Sequence, residues 1–264
     1  MARNKAFKNI LNLIDAETNN LSPQESFLSD LKRSIELDDA KGHRLPSKTY
    51  KPSMMNCIRA SYYQLTGVTP DEGTANYTII GIANSGTDIH QRIQSAVSNM
   101  KNNNMDCEYI DVGEHVHHRE LTDLEIVRKQ GFETKLYHKK LNISFLCDGI
   151  IKYRGKYYIL ELKTESSFKF VNRKDVDSKH YNQAITYSLA LGIDDVLFVY
   201  ISRDLLDMKA FMFHVTDEMR ESILSYIEKC NSYVDNGTVP SKPEHLTNRD
   251  CQYCGYKTQC RKDI

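Results

Sequence analysis

The chain has 264 residues, enough to bury one substantial hydrophobic core. It carries 35 basic and 35 acidic residues, so no overall positive field favours a protein that coats nucleic acid without specificity. The N-terminal sequence MARNKAFKNILNLIDAE has no continuous apolar stretch, and no segment approaches the roughly 18 apolar residues of a membrane span. We therefore expect a soluble intracellular protein without a membrane partner.

The first 45 residues are predicted to be helical. FKNILNLI carries apolar residues at helical spacing. Ser22, Pro23 and Glu25 then supply an N-cap, a proline at the first helical position and a capping-box glutamate. These precede FLSDLKRSIELDDA, which predicts a second helix. We assign residues 1–46 to an N-terminal helical extension.

Two further helices are predicted before the chain becomes extended. One runs from about residue 54 to 66, capped by Ser53 and ended by Gly67. The other runs from about residue 87 to 101 and is entered through Asn84-Ser85-Gly86.

Extended structure is predicted from about Cys107, and segments 132–138, 144–153 and 157–164 have the composition of three successive strands. The later predicted elements are a helix at 178–191, a strand at 196–202, an edge strand at 209–215 and a helix at 217–234. This mixture of strands and helices predicts an α/β fold.

Two acidic residues of the central strands are predicted to face each other. Arg154-Gly155 is typical of a two-residue hairpin turn, with the glycine supplying a positive φ. The register set by that turn places Asp148 opposite Glu161, with Cβ atoms roughly 4.5–5.5 Å apart. Lys163 lies on the same face because strand side chains alternate in direction.

Asp148 and Glu161 are embedded among isoleucines and leucines, where two unpaired carboxylates repel each other and are costly to bury. A divalent cation such as Mg²⁺, with both carboxylates, a backbone carbonyl and water as ligands, would remove that cost. Lys163 could orient or help to deprotonate a metal-activated water and offset phosphate charge. The alternative interpretation is a surface hairpin with an exposed Glu–Lys pair.

The cysteines indicate a second metal site. Cys251, Cys254 and Cys260 lie within ten residues of one another, and the total of seven is odd, which argues against a disulfide framework. The candidates for a fourth ligand are Cys57, Cys107, Cys147 and Cys230. Cys147 is expected in the core, on the strand face opposite Asp148. A four-thiolate site holds zinc or an iron–sulfur cluster, and the spacing does not distinguish them.

Asp148 and Glu161-Leu162-Lys163 together resemble the signature of the PD-(D/E)XK nuclease superfamily. More narrowly, the chain resembles the RecB-like branch that includes the CRISPR-associated exonucleases with an iron–sulfur cluster. Gly86-Thr87-Asp88-Ile89-His90 resembles the upstream histidine motif, and Gln183-Ala-Ile-Thr-Tyr187 resembles the Q-x-x-x-Y motif. Cys57 with the three C-terminal cysteines resembles the set that flanks the nuclease core.

The resemblance covers about residues 50–262 and implies a restriction-endonuclease-like core, a mixed sheet flanked by helices. It implies a nuclease core at 47–240 and, at 241–264, a cysteine motif that completes an iron–sulfur site with Cys57. The implied ligands of Mg²⁺ or Mn²⁺ are His90, Asp148, Glu161 and Leu162. The implied strand-positioning residues are Gln183 and Tyr187. The implied ligands of a [4Fe-4S] cluster, favoured over Zn²⁺, are Cys57, Cys251, Cys254 and Cys260.

The function implied is a metal-dependent DNA exonuclease acting on single-stranded or end-bearing DNA. Its implied setting is recombination, repair, replication or phage-type genome processing in the cytoplasm of a bacterial or phage-infected cell. DNA is the implied partner, with proteins of those pathways and self-association as further expectations. Two alternatives stay open: a non-catalytic nucleic-acid-binding or complex-forming subunit, and a sequence-specific endonuclease of the same fold.

The segment 166–180 is a candidate contact for nucleic acid. It interleaves basic residues with Phe168 and Phe170, which could track phosphates and stack bases. The basic residues are Lys169, Arg173, Lys174 and Lys179. The alternative interpretation is a solvated loop.

Overall fold

The computed structural model describes residues 22–41, 47–71, 76–248, 250–252 and 254–263. The helix predicted at FKNILNLI lies outside these residues. Within them, 22–41 and 76–84 belong to one compact unit, while 47–71 and the residues from 85 onward belong to a second. No helix in the described ranges is long and apolar enough to cross a membrane.

The smaller unit contains α1 (Pro23–Lys41) and the first turns of α3 (Tyr77–Ser98). The predicted capping box is confirmed: the Ser22 backbone N–H donates to Glu25 Oε2 at 2.9 Å, and the Glu25 N–H donates to Ser22 Oγ at 3.4 Å. Glu36 Oε1 accepts from the Tyr77 N–H at 3.0 Å, so the start of α3 is bonded to α1.

The larger unit contains two sheets and the remaining helices. Its strands are β1 (Cys107–Ile110), β2 (Leu124–Gln130), β3 (Glu133–His138), β4 (Ile143–Cys147), β5 (Gly149–Tyr153), β6 (Lys156–Glu165), β7 (Asp195–Ser202) and β8 (Met208–His214). Its other helices are α2 (Ile58–Thr66), α4 (Val112–His118), α5 (Ser167–Asn172), α6 (Tyr181–Leu191), α7 (Asp217–Asp235) and α8 (Lys257–Lys262). One sheet has the order β1-β5-β6-β7-β8, and the other has the order β2-β3-β4.

The five-stranded sheet is mixed, since β6 and β7 are parallel and its other pairings are antiparallel. Both faces of its centre are apolar because helices cover both. Leu160 and Leu162 pack with Ile89 of α3 on one face. Ile159 and Phe198 belong to the cluster on the other face that includes residues of α2, α6 and α7. A mixed sheet flanked by helices agrees with the predicted α/β class.

The predicted start of α2 was wrong, although its end at Gly67 (φ +77°) is confirmed. The segment Pro52–Met54, which includes Ser53, forms a separate 3₁₀ turn. Cys57 then takes an extended conformation (φ −138°, ψ 107°) and becomes the N-cap, so α2 begins at Ile58.

The predicted start of α3 was also wrong, because the helix continues through Asn84-Ser85-Gly86 instead of starting there. His90 therefore lies in the middle of a helix and not near its beginning. Gly86 has a packing role: a Cβ at this position would lie 3.1 Å from Thr164 Oγ1, so glycine lets α3 approach β6 closely. The helix ends at Ser98, three residues before the predicted end.

The register of the β5–β6 hairpin is as predicted, with Tyr153 paired with Lys156 and Gly149 with Leu160. Both turn residues have positive φ, +50° at Arg154 and +80° at Gly155. The predicted strand 144–153 is broken at Asp148, because β4 belongs to the three-stranded sheet and β5 to the five-stranded one.

The predicted change to extended structure at about Cys107 is confirmed by β1. Two elements that follow it were not predicted individually: α4 and β2. β2 has no alternating pattern, since only its first residue, Leu124, is buried. α4 is short and histidine-rich, although Asp111 caps it by accepting from the Glu114 N–H at 3.1 Å. The elements predicted after residue 178 are confirmed to within a few residues, with Ser178–His180 forming a 3₁₀ turn ahead of α6.

Replacing Gly149 with alanine should lower the free energy of unfolding by about 1–3 kcal/mol, the usual cost of overpacking. The new Cβ would lie 2.7 Å from Cε2 of Tyr109. That ring cannot withdraw freely because its hydroxyl donates to the Phe132 carbonyl at 2.9 Å. Urea unfolding followed by circular dichroism measures the change. In the control Gly81→Ala the new Cβ has no atom within 4 Å, so the free energy of unfolding should be unchanged or rise by up to about 1 kcal/mol. Equal losses of stability in the two variants would contradict a clash at Gly149.

Candidate active site

Asp148 lies where the chain passes from the small sheet to the large one. The β5–β6 register, continued by one residue, places it opposite Glu161, and the β3–β4 register, continued in the same way, places it opposite Glu133. Its Oδ2 accepts from the Leu162 N–H at 2.8 Å, and its carbonyl accepts from Gln94 Nε2 at 2.8 Å. Asp148 is therefore buried and held at both its backbone and its side chain.

His90 reaches the same carboxylate from α3, with Nδ1 3.5 Å from Asp148 Oδ1. Burial acts to lower the pKa of this imidazole, but the hydrogen bond and charge of Asp148 outweigh it, so the pKa is raised. His90, Glu133 and Asp148 each offer a ligand atom, and these atoms all lie within 4.8 Å of one another. Among the described residues this is the only such group of three.

Glu161 is 3% exposed and has two unlike oxygens. Oε1 accepts from Lys163 Nζ at 2.5 Å and from Gln183 Nε2 at 2.8 Å. Oε2 is buried and has no hydrogen-bond partner within the described ranges. Burial raises the pKa of Glu161 to about 7, against the opposing charge of Lys163. A buried carboxylate oxygen without a donor is the kind of atom that a cation satisfies.

A chain of hydrogen bonds fixes Lys163. Its Nζ donates to Gln183 Oε1 at 3.0 Å, and Gln183 Nε2 donates to the Tyr187 hydroxyl oxygen at 2.9 Å. The Tyr187 hydroxyl in turn donates to the Leu146 carbonyl at 2.8 Å. Gln183 and Tyr187 share one face of α6, as their spacing predicts. Tyr187 is buried and acts through Gln183, and burial raises its pKa well above the usual value, so its hydroxyl stays protonated.

The donor set fits a hard divalent cation. Asp148, Glu161 and Glu133 offer carboxylate oxygens, and His90 adds one imidazole nitrogen, which favours Mn²⁺ relative to Mg²⁺. Leu162, whose carbonyl the resemblance implies as a ligand, is fully buried, and its N–H is the donor to Asp148 Oδ2. Sequence reasoning missed Glu133. The β3–β4 register could have found it, but the four-residue loop at 139–142 specifies register less strictly than a two-residue turn.

The structure places Cys57, Cys251, Cys254 and Cys260 around one cavity of about 520 Å³. Arg59 also lines it, with Nη1 3.5 Å from Cys260 Sγ. Burial raises the pKa of the Cys57 and Cys254 thiols. No three of the four sulfurs lie within 4.8 Å of one another. The remaining three cysteines are buried in the core, Cys147 as predicted.

A second cavity, of about 640 Å³, links the two groups of residues. Lys163 and Gln183 line it on one side, and Cys57, Cys251 and Cys254 on the other. The other lysines that line it are Lys51 and Lys179, of which Lys179 pairs with Asp250 at 2.6 Å. His180 also lines it, but burial lowers its pKa to about 4, so its ring is neutral.

Part of segment 166–180 forms α5, and several of its side chains are used in packing and ion pairs within the fold. Arg173 pairs with Glu165 at 2.8 Å and lies 4.3 Å from the centre of the Tyr200 ring, so it is committed to a half-buried network. Phe170 is buried, whereas Phe168 is 79% exposed. Within the segment, Phe168 and not Phe170 is therefore placed to meet a ligand.

Neither a family model nor a curated protein matches the sequence. Among solved structures, the crystal structure of SSO0001 is similar, with a TM-score of 0.50 and 17% sequence identity. The match covers 90% of this chain and 98% of that one, so the two share an overall fold. LHK-Exo in complex with dAMP has a TM-score of 0.38 and 11% identity, over 72% of this chain and 89% of its own.

The Glu161→Gln variant should change how stability depends on pH in the metal-free protein. Folding raises the pKa of Glu161 from 4.5 to about 7, so its protonated form is favoured in the folded state. That contribution is present below pH 4.5 and is lost as pH rises through 7. Urea unfolding in EDTA should show the stability of the wild type falling relative to Glu161→Gln over this range. The exposed-site control Glu125→Gln should show no such trend, and a flat difference for Glu161→Gln would contradict the raised pKa.

Proposed function

We propose that the chain is a divalent-metal-dependent deoxyribonuclease of the PD-(D/E)XK type, in its RecB-like branch, acting as an exonuclease. The observation that carries the proposal is the pair of opposed buried carboxylates, Asp148 and Glu161, beside a fixed Lys163. The unpartnered Oε2 of Glu161 and the nearby imidazole of His90 add support, since both are groups that a cation would use.

Asp148, Glu161, His90 and the carbonyl of Leu162 are the proposed ligands of Mg²⁺ or Mn²⁺. When bound, the cation supplies Lewis acidity and lowers the pKa of a coordinated water. Lys163 orients the attacking water and offsets charge on the phosphate, because Glu161 and Gln183 hold its ammonium group at the edge of the carboxylates. Gln183 and Tyr187 keep that ammonium group in place.

The proposed substrate is single-stranded or end-bearing DNA. The cavity beside Lys163 is of the size that holds a small organic ligand, which suits about one or two unpaired nucleotides better than a duplex. Lys51 is exposed on its wall and could meet the phosphates. The proposed setting remains recombination, repair, replication or phage-type genome processing.

At the cysteines we propose a [4Fe-4S] cluster with a structural role. The choice of this cluster over zinc rests on the resemblance of the four cysteines to the set that flanks RecB-like nuclease cores, and the grouping of all four around one cavity supports a shared centre. The cluster would tie Cys57 at the start of α2 to the C-terminal segment.

Nuclease activity is tested with labelled single- and double-stranded DNA in Mg²⁺ and Mn²⁺. The wild type should shorten strands progressively from their ends. Lys163→Ala should slow this by about 10²–10⁴-fold, the usual contribution of a group that serves proton transfer, and Asp148→Ala should abolish it. The exposed-residue controls Lys140→Ala and Glu125→Gln should retain full activity.

Two results would replace the proposal with another function. If the metal-loaded wild type leaves every DNA form intact but binds it, the chain is a non-catalytic binding subunit. If it cuts duplex plasmid into discrete fragments, it is a sequence-specific endonuclease.

The cluster is tested on protein purified without oxygen. We expect an absorption band near 400 nm that bleaches on reduction, with about four irons for each chain, since a [4Fe-4S] cluster has four. Cys254→Ser should lose the band, whereas Cys107→Ala, outside the cavity, should keep it. Colourless protein with one zinc for each chain would instead establish the zinc site.

A further inference from the structure

Glu133 is the acidic residue that the proposed ligand set leaves out. It is the first residue of β3, in the three-stranded sheet, and it is half-buried. Its carboxylate offers an oxygen within 4.8 Å of ligand atoms of both His90 and Asp148. The three residues come from a helix, a strand and the junction between the sheets, so the fold and not local sequence brings them together.

Within the described residues, no lysine or arginine forms an ion pair with Glu133 or Asp148. Lys163 is bonded to Glu161 and Gln183, and not to Glu133. Asp148 uses Oδ2 to accept from a backbone N–H, while Oδ1 faces His90. Within the described ranges the Glu133 carboxylate has no hydrogen bond or ion pair. The imidazole of His90 lies beside both carboxylates and, when protonated, offsets only one of their two charges. The remaining negative charge is unfavourable at low exposure.

We propose that Glu133 is a metal ligand, and that His90, Glu133 and Asp148 together bind a divalent cation through one nitrogen and two carboxylate oxygens. A mixed nitrogen and oxygen set favours Mn²⁺ over Mg²⁺. This deepens the proposed function, because Asp148 and His90 belong to both ligand sets. It also assigns a role to the three-stranded sheet, which contributes Glu133 from its central strand.

The independent observation beside the triad is the buried Oε2 of Glu161. Glu161 lies on the opposite side of Asp148 from Glu133, since the two registers flank Asp148. Against three ionised carboxylates, Lys163 and a protonated His90 leave an excess of one negative charge at the junction. A dication next to Asp148 lowers that excess whichever carboxylate it contacts first.

The test measures binding of Mn²⁺ alone to the full chain, without DNA, by calorimetric titration. Glu133→Gln should weaken Mn²⁺ binding by at least about tenfold, the smallest cost usual even for groups outside the direct ligand set. Glu125→Gln is the matched control, since it removes an exposed carboxylate from the same sheet and should leave the affinity unchanged. Unchanged affinity in Glu133→Gln would overturn the inference.

Thermal unfolding separates ligand loss from misfolding. In EDTA, Glu133→Gln should melt at or above the wild-type temperature because one repelling carboxylate is gone. Added Mn²⁺ should raise its melting temperature less than it raises that of the wild type. If Glu133→Gln does not fold, Glu133→Asp gives the same reading, since a shorter side chain should also bind Mn²⁺ less tightly.

Failure of this inference and failure of the proposed function are distinguishable. If Mn²⁺ binding depends on Glu133 but the protein degrades no DNA, the metal site is supported and the nuclease proposal is rejected. If the wild type degrades DNA and Glu133→Gln binds Mn²⁺ with full affinity, the nuclease proposal stands and Glu133 is not a metal ligand.

Discussion

The bond from the Leu162 N–H to Asp148 Oδ2 holds the junction on which the site depends. At this point the chain leaves one sheet and enters another, so Asp148 has no place in either ladder. Its side chain accepts a hydrogen bond from a backbone N–H of β6, as the carbonyl of a neighbouring strand would do. Gln94 holds the carbonyl of the same residue, which leaves Oδ1 facing His90. One oxygen of Asp148 therefore stabilises the fold, and the other is left to face the candidate site.

Much of this arrangement can be predicted from the sequence because it rests on local rules. The Arg154-Gly155 turn fixes the register of β5 and β6, and a period of two then places Glu161 and Lys163 on one face. The i, i+4 spacing of Gln183 and Tyr187 fixes their common face in the same way. The mixed sheet agrees with the expected class, and the SSO0001 structure shares the overall fold.

What could not be predicted depends on contacts between distant segments. The pattern around Asp148 is continuous in the sequence, and only the pairing of β4 with β3 shows that the strand divides there. Gly86 signals a helix start by composition, yet its small size serves the approach of α3 to Thr164. Glu133 stands in a segment of ordinary polarity, and its nearness to His90 arises from tertiary packing alone.

The parallel pairing of β6 with β7 also makes the site depend on a long connection. Parallel strands need a long connection, and here it contains α6, which carries Gln183. Lys163 therefore contacts Gln183 only once α6 has packed against β6, and Cys57 lies near the C-terminal cysteines only once the last segment has folded. Contacts of such large sequence separation form slowly and late. A nascent chain has the whole β5–β6 hairpin before α6 and the C-terminal cysteines have been synthesised, so the pairing of Asp148 with Glu161 can precede the contacts with those later segments.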